Sequence, residues 1–207
     1  MSKDAWLYWY EGKETTVDED LPSLSKVFSK AGVSSILDLG CGTGRHCIYL
    51  SNMGFKVSGF DWSESAIRRA KDLLKPSKSA DLIVWDMLNF PYPYEDGSFD
   101  AVVSIKVIHH TTLENIRKVI GEIERVTRAG GYLYLQVPTR EKMERLIEEG
   151  QKSKFVEEGT LFPLEGEEKG IFHHYFSNGE LQELLGNYLV RNLETKNEHY
   201  CATCVKK

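Results

Sequence analysis

The sequence predicts an α/β protein with a doubly wound, mostly parallel sheet of seven strands and helices on both faces. Short apolar runs alternate with amphipathic helical segments along residues 34–138, a rhythm typical of a parallel sheet covered on both sides. A turn with glycine at alternate positions follows the first of these runs. The 207 residues, 41% apolar and 28% charged, suit one soluble domain with a single core.

The first helix is predicted in "LPSLSKVF", where the apolar side chains share one helical face. These side chains are Leu21, Leu24, Val27 and Phe28. Strands are then predicted in "SSILDLG", "FKVSGF" and "ADLIVWD". The helix "RHCIYLSNM", stopped by Gly54, separates the first two strands, and "SAIRRAKDLL", capped by Ser63 and ended by Pro76, separates the second and third.

The next strands are "FDAVVSI" and "YLYLQV", and a helix lies between them. Thr111 and Glu114 form a capping-box pair at its start, and Gly130 with Gly131 would end it. Its inner face would carry Leu113, Ile116, Ile120 and Ile123. This completes five strands of the sheet.

The pattern changes after Pro138. A charged helix, "REKMERLIEE", leads into a long segment with no clear period, and a long irregular insert in a compact domain is usually functional. We therefore expect substrate selection there. Ser177 and Glu180 form another capping-box pair ahead of "LQELL", and the strand-like runs "YLVRNLE" and "EHYCATCV" complete the sheet.

Composition and charge exclude several classes of protein. The net charge of -5 gives no electrostatic footprint for a polyanion. The longest apolar runs are far shorter than the ~20 residues that a membrane-spanning helix needs, and the amino-terminal stretch does not resemble a secretory signal. We expect a cytoplasmic protein with reduced thiols. Cys201 and Cys204 form a CxxC without a second ligand pair, which predicts a small buried pair and no metal site.

The stretch "ILDLGCGTGRH" places Gly40, Gly42 and Gly44 directly after a buried strand. Glycines there allow a ligand to lie against the main chain and permit positive φ angles. The dinucleotide pattern GxGxxG would need glycine where the chain has Arg45, and the phosphate loop would need a lysine after its second glycine. Both alternatives fail on spacing.

Four motifs in order decide the family that the sequence resembles. They are "LDLGCGTG", "VSGFDWSESAI", "VWDMLNFPY" and "FDAVVSIKVIHH", and "IERVTRAGGYLYLQVP" follows them. In order and spacing, the chain resembles the class I S-adenosylmethionine-dependent methyltransferases, of the small-molecule type, over about half its length. The resemblance implies a Rossmann-like methyltransferase fold and S-adenosyl-L-methionine as cofactor, with S-adenosyl-L-homocysteine as product. It divides a single domain, 1–207, into a helical cap (1–33), a cofactor-binding core (34–138), a substrate-side insert (139–176) and a carboxyl-terminal helix with strands (177–207).

The resemblance also implies the residues of the cofactor site. Asp61 ends the second strand, where a carboxylate can accept both hydroxyls of a ribose. Asp86 would accept the adenine amino group, and Asp38 would face the positively charged amino end of the cofactor, directly or through water. The full predicted set is Asp38, Gly40, Cys41, Gly42, Gly44, Asp61, Trp62, Asp86, Met87 and Ser104. Trp62 can equally belong to the core.

Histidines mark the expected acceptor side. His110, with a side chain that titrates near neutral pH, is the candidate catalytic base, and packing at the start of the next helix is the alternative. His109, His173 and Tyr175 are the predicted substrate-binding residues. Because adjacent histidines were expected to point to different faces, we predict no metal site.

The amino-terminal aromatics Trp6, Tyr8, Trp9 and Tyr10 are interpreted as a lid over the cofactor or as side chains docked onto the core. The sequence leaves both open.

The function predicted is methyl transfer to a small molecule of unknown identity. Two alternatives remain: methylation of a modified wobble uridine in tRNA, which the acidic balance disfavours, and a non-catalytic module that binds the cofactor. An oxidoreductase is a weaker rival. No membrane partner is expected, and the sequence does not indicate an oligomeric state.

Overall fold

The computed structural model describes residues 16–74 and 80–207. The amino-terminal aromatics and Pro76 therefore lie outside the described residues. The helices in the described ranges are α1 (Leu21–Lys30), α2 (Arg45–Asn52), α3 (Glu64–Leu73), α4 (Leu113–Val126), α5 (Arg140–Glu148) and α6 (Asn178–Leu184). The strands are β1 (Ser35–Leu39), β2 (Lys56–Asp61), β3 (Ala80–Val84), β4 (Phe99–Ile105), β5 (Thr127–Pro138), β6 (Ser153–Glu157), β7 (Thr160–Pro163), β8 (His173–His174), β9 (Tyr188–Lys196) and β10 (His199–Lys206).

Seven strands form the main sheet in the order β3-β2-β1-β4-β5-β10-β9. Strands β1 to β5 pair in parallel, and β10 runs antiparallel to both of its neighbours. The predicted fold class is confirmed. The chain moves to one side of β1 with β2 and β3 and to the other with β4 and β5, so the strand order reverses between β1 and β4. Ligands of open α/β sheets bind at such a switch point.

Both faces of the sheet are covered because successive strand residues point in opposite directions. Leu37 and Val102 pack with the apolar face of α4, whereas Ile36 and Val103 pack with α1, α2 and α3. Each face therefore buries its own apolar cluster. No helix within residues 16–74 and 80–207 combines the length and the apolar character that crossing a membrane requires.

The predicted caps have mixed outcomes. Ser63 accepts the Ala66 amide at 3.2 Å and Ser177 accepts the Glu180 amide at 3.2 Å, which confirms both as caps. Val27 does not share the buried face of α1, since its side chain is 45% exposed.

The capping box expected from Thr111 and Glu114 is wrong. Helix α4 begins at Leu113, whose amide donates to the Glu157 carboxylate of β6 at 2.6 Å. The Thr111 hydroxyl accepts instead from the Asn115 side chain at 3.0 Å. A residue distant in sequence thus satisfies the exposed amide that a local pair was expected to satisfy.

Gly130 and Gly131 do not end α4. The helix already ends at Val126, and both glycines lie inside β5. A Cβ on Gly131 would come within 2.9 Å of the Asp100 carbonyl oxygen. The glycine is therefore required by close strand packing next to the register shift between β4 and β5.

The segment without sequence period contains ordered strands. β6, β7 and β8 form a small antiparallel sheet. The amide of His174 donates to the His109 carbonyl at 2.8 Å, and the amide of Phe176 donates to the Pro138 carbonyl at 2.9 Å. These main-chain bonds hold the insert at the carboxyl end of the main sheet.

All four cysteines are buried and unbridged. Cys201 and Cys204 are both small buried residues on β10, as expected, but they belong to the clusters on opposite faces of the sheet.

At the amino ends of the parallel strands, Asp100 of β4 links the start of β1 to the start of β5. Its carboxylate accepts the amides of Ser34 and Ser35 at 2.8 and 2.9 Å and the Arg128 guanidinium. Partial burial alone would raise the pKa of this carboxyl, but these donors hold the pKa well below its usual range.

We predict that Asp100→Asn lowers the free energy of unfolding by about 2 kcal/mol at pH 7, because the charged acceptor is lost. Because the pKa of Asp100 is lower in the folded than in the unfolded chain, the ionised carboxylate stabilises the fold at pH values above its unfolded pKa. This stabilisation is lost as the pH falls, so the difference in stability between the two proteins should shrink below a pH of about 4. Urea unfolding at neutral and acidic pH measures this. Asp96→Asn is the control, since that side chain is 82% exposed. An Asp100→Asn effect that is equally large at both pH values would contradict the prediction.

Candidate active site

A cavity of about 460 Å³ opens at the carboxyl ends of the parallel strands. It has two halves. We call the first the glycine-loop half; its lining includes Gly40, Cys41, Gly42, Asp61, Trp62, Asp86 and Met87. We call the second the histidine half; its lining includes Lys106, His109, His110, Lys142, Glu168, His173, Tyr175 and His199. The two halves belong to one continuous space.

The glycine loop depends on backbone that other residues rarely adopt. Gly40, Gly42 and Gly44 have φ angles of 70°, 54° and 78°. A Cβ on Gly40 would overlap the Val107 side chain, and one on Gly44 would lie 2.8 Å from the Ala70 Cβ. The loop therefore packs tightly against the core and presents main chain to the cavity.

Asp61 ties this loop to the end of β2. One carboxylate oxygen accepts the Gly42 amide at 3.0 Å and the other accepts the Ser63 amide at 2.9 Å. The residue is only 3% exposed yet lines the cavity. Asp61 therefore presents to the cavity a carboxylate whose orientation two backbone amides fix, the group that suits a ligand with paired hydroxyls.

Asp86 and Met87 form the wall that follows β3. The Asp86 carboxylate accepts the Leu88 amide at 2.9 Å, and the Met87 carbonyl accepts the Tyr92 hydroxyl at 3.1 Å. Both residues and Trp62 line the cavity. They provide one carboxylate and apolar surface, which suit a flat heterocycle with an amino group.

Three of the predicted cofactor residues do not line the cavity: Asp38, Gly44 and Ser104. Asp38 points behind the loop and accepts the Cys47 thiol at 3.2 Å. Gly44 precedes α2 and packs on α3, and Ser104 is fully buried within β4. Strand alternation explains Asp38, because it shares the sheet face of Ile36, beneath α2. Contact of Asp38, Gly44 and Ser104 with the cofactor therefore stays a prediction, since none of the three lines the cavity.

The structure brings together the three histidines of the histidine half. The ring centroids of His109 and His110 are 3.9 Å apart, and His173 lies 4.8 Å from His110 and 5.8 Å from His109. Tyr175 stacks on His173 at 6.1 Å. The premise that adjacent histidines point to different faces is wrong for His109 and His110, since the chain turns at this position.

Burial keeps these imidazoles neutral. It lowers the pKa of His110 to about 4, against opposing effects of the Phe172 and Lys106 backbone. It also holds the pKa of His109 and of His173 well below the usual range, and the neighbouring imidazoles and Lys142 act in the same direction.

His174 faces away from the cavity. Its ring is fully buried between the Thr160 hydroxyl at 2.7 Å and the Glu180 carboxylate at 3.1 Å. The Glu180 side chain is thus used to hold β8 rather than to close a capping box at α6. Adjacent histidines in the insert therefore divide between the cavity and the supporting structure.

Sequence reasoning missed several residues of the histidine half, chiefly Lys106, Lys142, Glu168 and His199. Lys106 has a left-handed φ of 60° at the end of β4. Lys142 comes from α5, and its ammonium lies 3.5 Å from the His199 ring. Burial lowers the pKa of Lys142. A lysine directly after an apolar strand was the one signal available; the others depend on how α5, the insert and β10 dock.

Comparisons with known proteins agree with this geometry. The methyltransferase domain family matches residues 37–135. A tRNA (carboxymethyluridine(34)-5-O)-methyltransferase of Arabidopsis thaliana is 39% identical over 105 residues, covering 50% of this chain and 24% of that protein. The chain thus spans about a quarter of the length of that relative.

Solved structures share the fold. A protein of Pyrococcus horikoshii has a TM-score of 0.73 at 22% identity, covering 97% of this chain and 99% of its own. The 1,6-didemethyltoxoflavin-N1-methyltransferase of Burkholderia thailandensis, solved with its substrate and S-adenosylhomocysteine, has a TM-score of 0.69 at 15% identity, covering 99% of this chain and 83% of its own.

Asp38 generates a prediction on stability. Burial raises the pKa of its carboxyl to about 7, against the bond from Cys47. Because the pKa of Asp38 is raised in the folded protein, the folded state keeps a proton that the unfolded chain releases. The stability of the fold therefore decreases as the pH rises toward 7.

We predict that Asp38→Asn, which needs no proton, gains about 2 to 3 kcal/mol of stability over the unchanged protein between pH 5 and pH 8. Urea unfolding of both proteins at pH 5 and pH 8, without added ligands, measures this gain in stability. The difference between the two proteins at pH 5 is the internal reference. Parallel pH dependence of the two proteins would contradict the raised pKa.

Proposed function

We propose that this chain is a class I S-adenosylmethionine-dependent methyltransferase and that it transfers a methyl group from that cofactor to a small anionic molecule. The observation that carries the proposal is the single cavity, in which the Asp61 and glycine-loop half opens directly into a basic, histidine-lined half. When bound, S-adenosylmethionine supplies an activated methyl group on a positively charged sulfur. The chain's own residues bind, orient and exclude water.

The glycine-loop half fits the cofactor. Asp61 is already oriented by two backbone amides and would accept the ribose hydroxyls without further ordering. Asp86 would accept the adenine amino group, with the Met87 amide and side chain and Trp62 beside the ring. Cys41 and the main chain of Gly40 and Gly42 would lie under the methionine portion.

Asp38 would act on the cofactor indirectly. Its carboxyl lies behind the loop and borders the thiol of Cys47. A cationic amino group above the loop would favour the ionised carboxylate. We therefore propose an electrostatic role for Asp38 in place of the direct contact that the sequence predicted.

The charge of the histidine half favours an anionic acceptor. Within the part of the chain that the structure describes, neither Lys106 nor Lys142 forms an ion pair with a carboxylate. Glu168 is the acidic side chain of this half. In the lining the two lysines outnumber this carboxylate, although Glu198 also acts on the charge of Lys142, and an anionic acceptor would neutralise the excess positive charge.

The low pKa of His110 changes its proposed role. A ring with a pKa of about 4 is neutral at pH 7 but takes a proton poorly. This argues for an acceptor atom that is already ionised, such as a carboxylate or another anionic oxygen. His110 then contacts and aligns the acceptor, together with His109, His173 and Tyr175, in line with the methyl group.

The second candidate is methylation of a modified uridine in tRNA. It is favoured by the 39% identity to the Arabidopsis enzyme, which covers half of this chain. The net charge of -5 opposes it, because phosphate contacts dominate nucleic-acid affinity. A carboxylate on the base would still suit the basic half of the cavity.

Substrate competition separates the two candidates. The protein is incubated with S-adenosylmethionine and either the protein-free small-molecule fraction of a cell extract or bulk tRNA lacking the modification, and S-adenosylhomocysteine release is measured. Turnover with the small-molecule fraction is the expected result. Turnover with tRNA alone, accompanied by salt-dependent filter binding, would replace the small-molecule proposal with the tRNA one.

We predict that Asp61→Asn weakens S-adenosylhomocysteine binding by roughly 10- to 100-fold, the loss of a charged acceptor. The new amide group also opposes the donor of Gly42 or Ser63. Isothermal titration calorimetry measures the Kd, and Asp72→Asn on the exposed side of α3 is the matched control. Unchanged affinity in a folded Asp61→Asn protein would remove the cofactor assignment.

We predict that Lys142→Gln raises the acceptor KM by about 10-fold or more, because a charge-assisted contact is lost. The Kd for S-adenosylhomocysteine should stay the same, because Lys142 lies in the other half. Lys152→Gln is the control, since that ammonium is exposed and pairs with Glu165. Equal KM values for the two variants would reject an anionic acceptor held by Lys142.

A further inference from the structure

The most concentrated set of metal-ligating side chains in the described residues lies in the histidine half. One ring nitrogen from each of His109, His110 and His173 lies within 4.8 Å of the other two. The three residues are at most 7% exposed. They come from two separate segments, the turn after β4 and strand β8, which the backbone bond from His174 to His109 holds together.

Two ring nitrogens of these histidines are buried without the hydrogen-bond partner that such atoms normally have. The Nδ1 atom of His109 and the Nε2 atom of His173 have no hydrogen-bond partner among the described residues. Buried polar atoms are nearly always satisfied, and an exception calls for an explanation by a water, an ion or a ligand. Both rings line the cavity.

His110 is held in the orientation that a ligand imidazole typically has. Its Nδ1 atom lies 3.3 Å from the Phe172 carbonyl oxygen. A carbonyl only accepts, so a neutral ring that donates to Phe172 from Nδ1 carries its lone pair on Nε2, and the Lys106 backbone also forms a hydrogen bond with this imidazole. Metal-binding histidines commonly donate their other ring N–H to a backbone carbonyl in this way.

From this cluster we infer that His109, His110 and His173 form a binding site for a divalent transition-metal ion, with the fourth position open to the acceptor. Three neutral imidazoles and one open position form a known type of zinc site. Imidazole also suits copper and nickel, whereas magnesium and calcium require oxygen ligands. In a tetrahedral zinc site the ligand nitrogens are ~3.4 Å apart. Rotation of the imidazole rings that moves their nitrogen atoms by about an ångström would reach this separation.

The surrounding charges define the fourth position. The Glu168 carboxylate lies 3.6 Å from His173 Nε2 and can balance part of the ion's charge. Lys142 lines the same half and opposes a cation, so an anionic oxygen of the acceptor in the fourth position would offset that repulsion. The site would thus replace the sequence-based expectation of no metal, and His110 would serve as a ligand in place of a base.

The test uses Co²⁺ and Zn²⁺ alone, without cofactor or acceptor, so its outcome is independent of the proposed function. Chelator-treated protein is titrated with Co²⁺ and followed by visible absorption. We expect one equivalent to produce d–d bands without a thiolate charge-transfer band, and Zn²⁺ to displace it. Calorimetry with Zn²⁺ gives the Kd.

Variants locate the ion. His109→Ala and His173→Gln should each weaken Co²⁺ binding by about 10-fold or more. Even the loss of a residue that only hydrogen-bonds a metal ligand can lower metal affinity by that factor. His199→Gln, another histidine that lines the same cavity, is the matched control and should retain binding. Thermal unfolding and S-adenosylhomocysteine binding establish that each variant is folded.

Three results would overturn the inference. The first is the absence of a Co²⁺ spectrum and of a Zn²⁺ heat in the unchanged protein. The second is undiminished binding in the folded His109→Ala and His173→Gln proteins. The third is a thiolate band, which would assign the ion to buried cysteines.

Discussion

The carboxylate of Asp61 is the constraint on which the cofactor half of the site depends. It accepts one amide from the glycine loop after β1 and another from the start of α3 after β2. These two chain segments meet at the place where the strand order reverses, and a buried anion between their amides fixes their separation. The loop glycines have positive φ angles, and in this conformation the Gly42 amide faces the carboxylate. A ligand that binds here meets main chain whose position is already determined.

The histidine half is built differently. Its side chains come from the turn after β4, from α5, from β8 and from β10, and no single acidic residue organises them. Backbone bonds and the buried His174 network with Thr160 and Glu180 position the insert. The resulting cavity wall combines neutral imidazoles with two lysines. A preformed cofactor side thus faces an acceptor side whose chemistry depends on tertiary docking.

The sequence predicted the parts of the molecule that are governed by local periodicity. The five parallel strands, the two at the carboxyl end and the caps at Ser63 and Ser177 follow from period-two alternation and from short-range hydrogen bonding. Asp61 could be chosen because an acid that ends the second strand has a definite chemical task. The failures share a cause, which is that long-range contacts override local signals. Glu157 rather than Glu114 satisfies the amide of Leu113, and Gly131 is needed for strand packing rather than to stop a helix. The burial of Asp38 beneath α2 could have been predicted locally, because strand alternation places it on the same sheet face as Ile36.

Main-chain bonds attach the insert to the sheet, from His174 to His109 and from Phe176 to Pro138. Peptide groups are present whatever the side chains are, so these two bonds do not depend on residue type, whereas Glu157 and Thr160 add side-chain contacts that do. The insert can then be exchanged to change acceptor preference while the glycine-loop half stays intact. Replacing β6 and β7 with those of another protein, while these two main-chain bonds are kept, offers a practical route to enzymes with new selectivity.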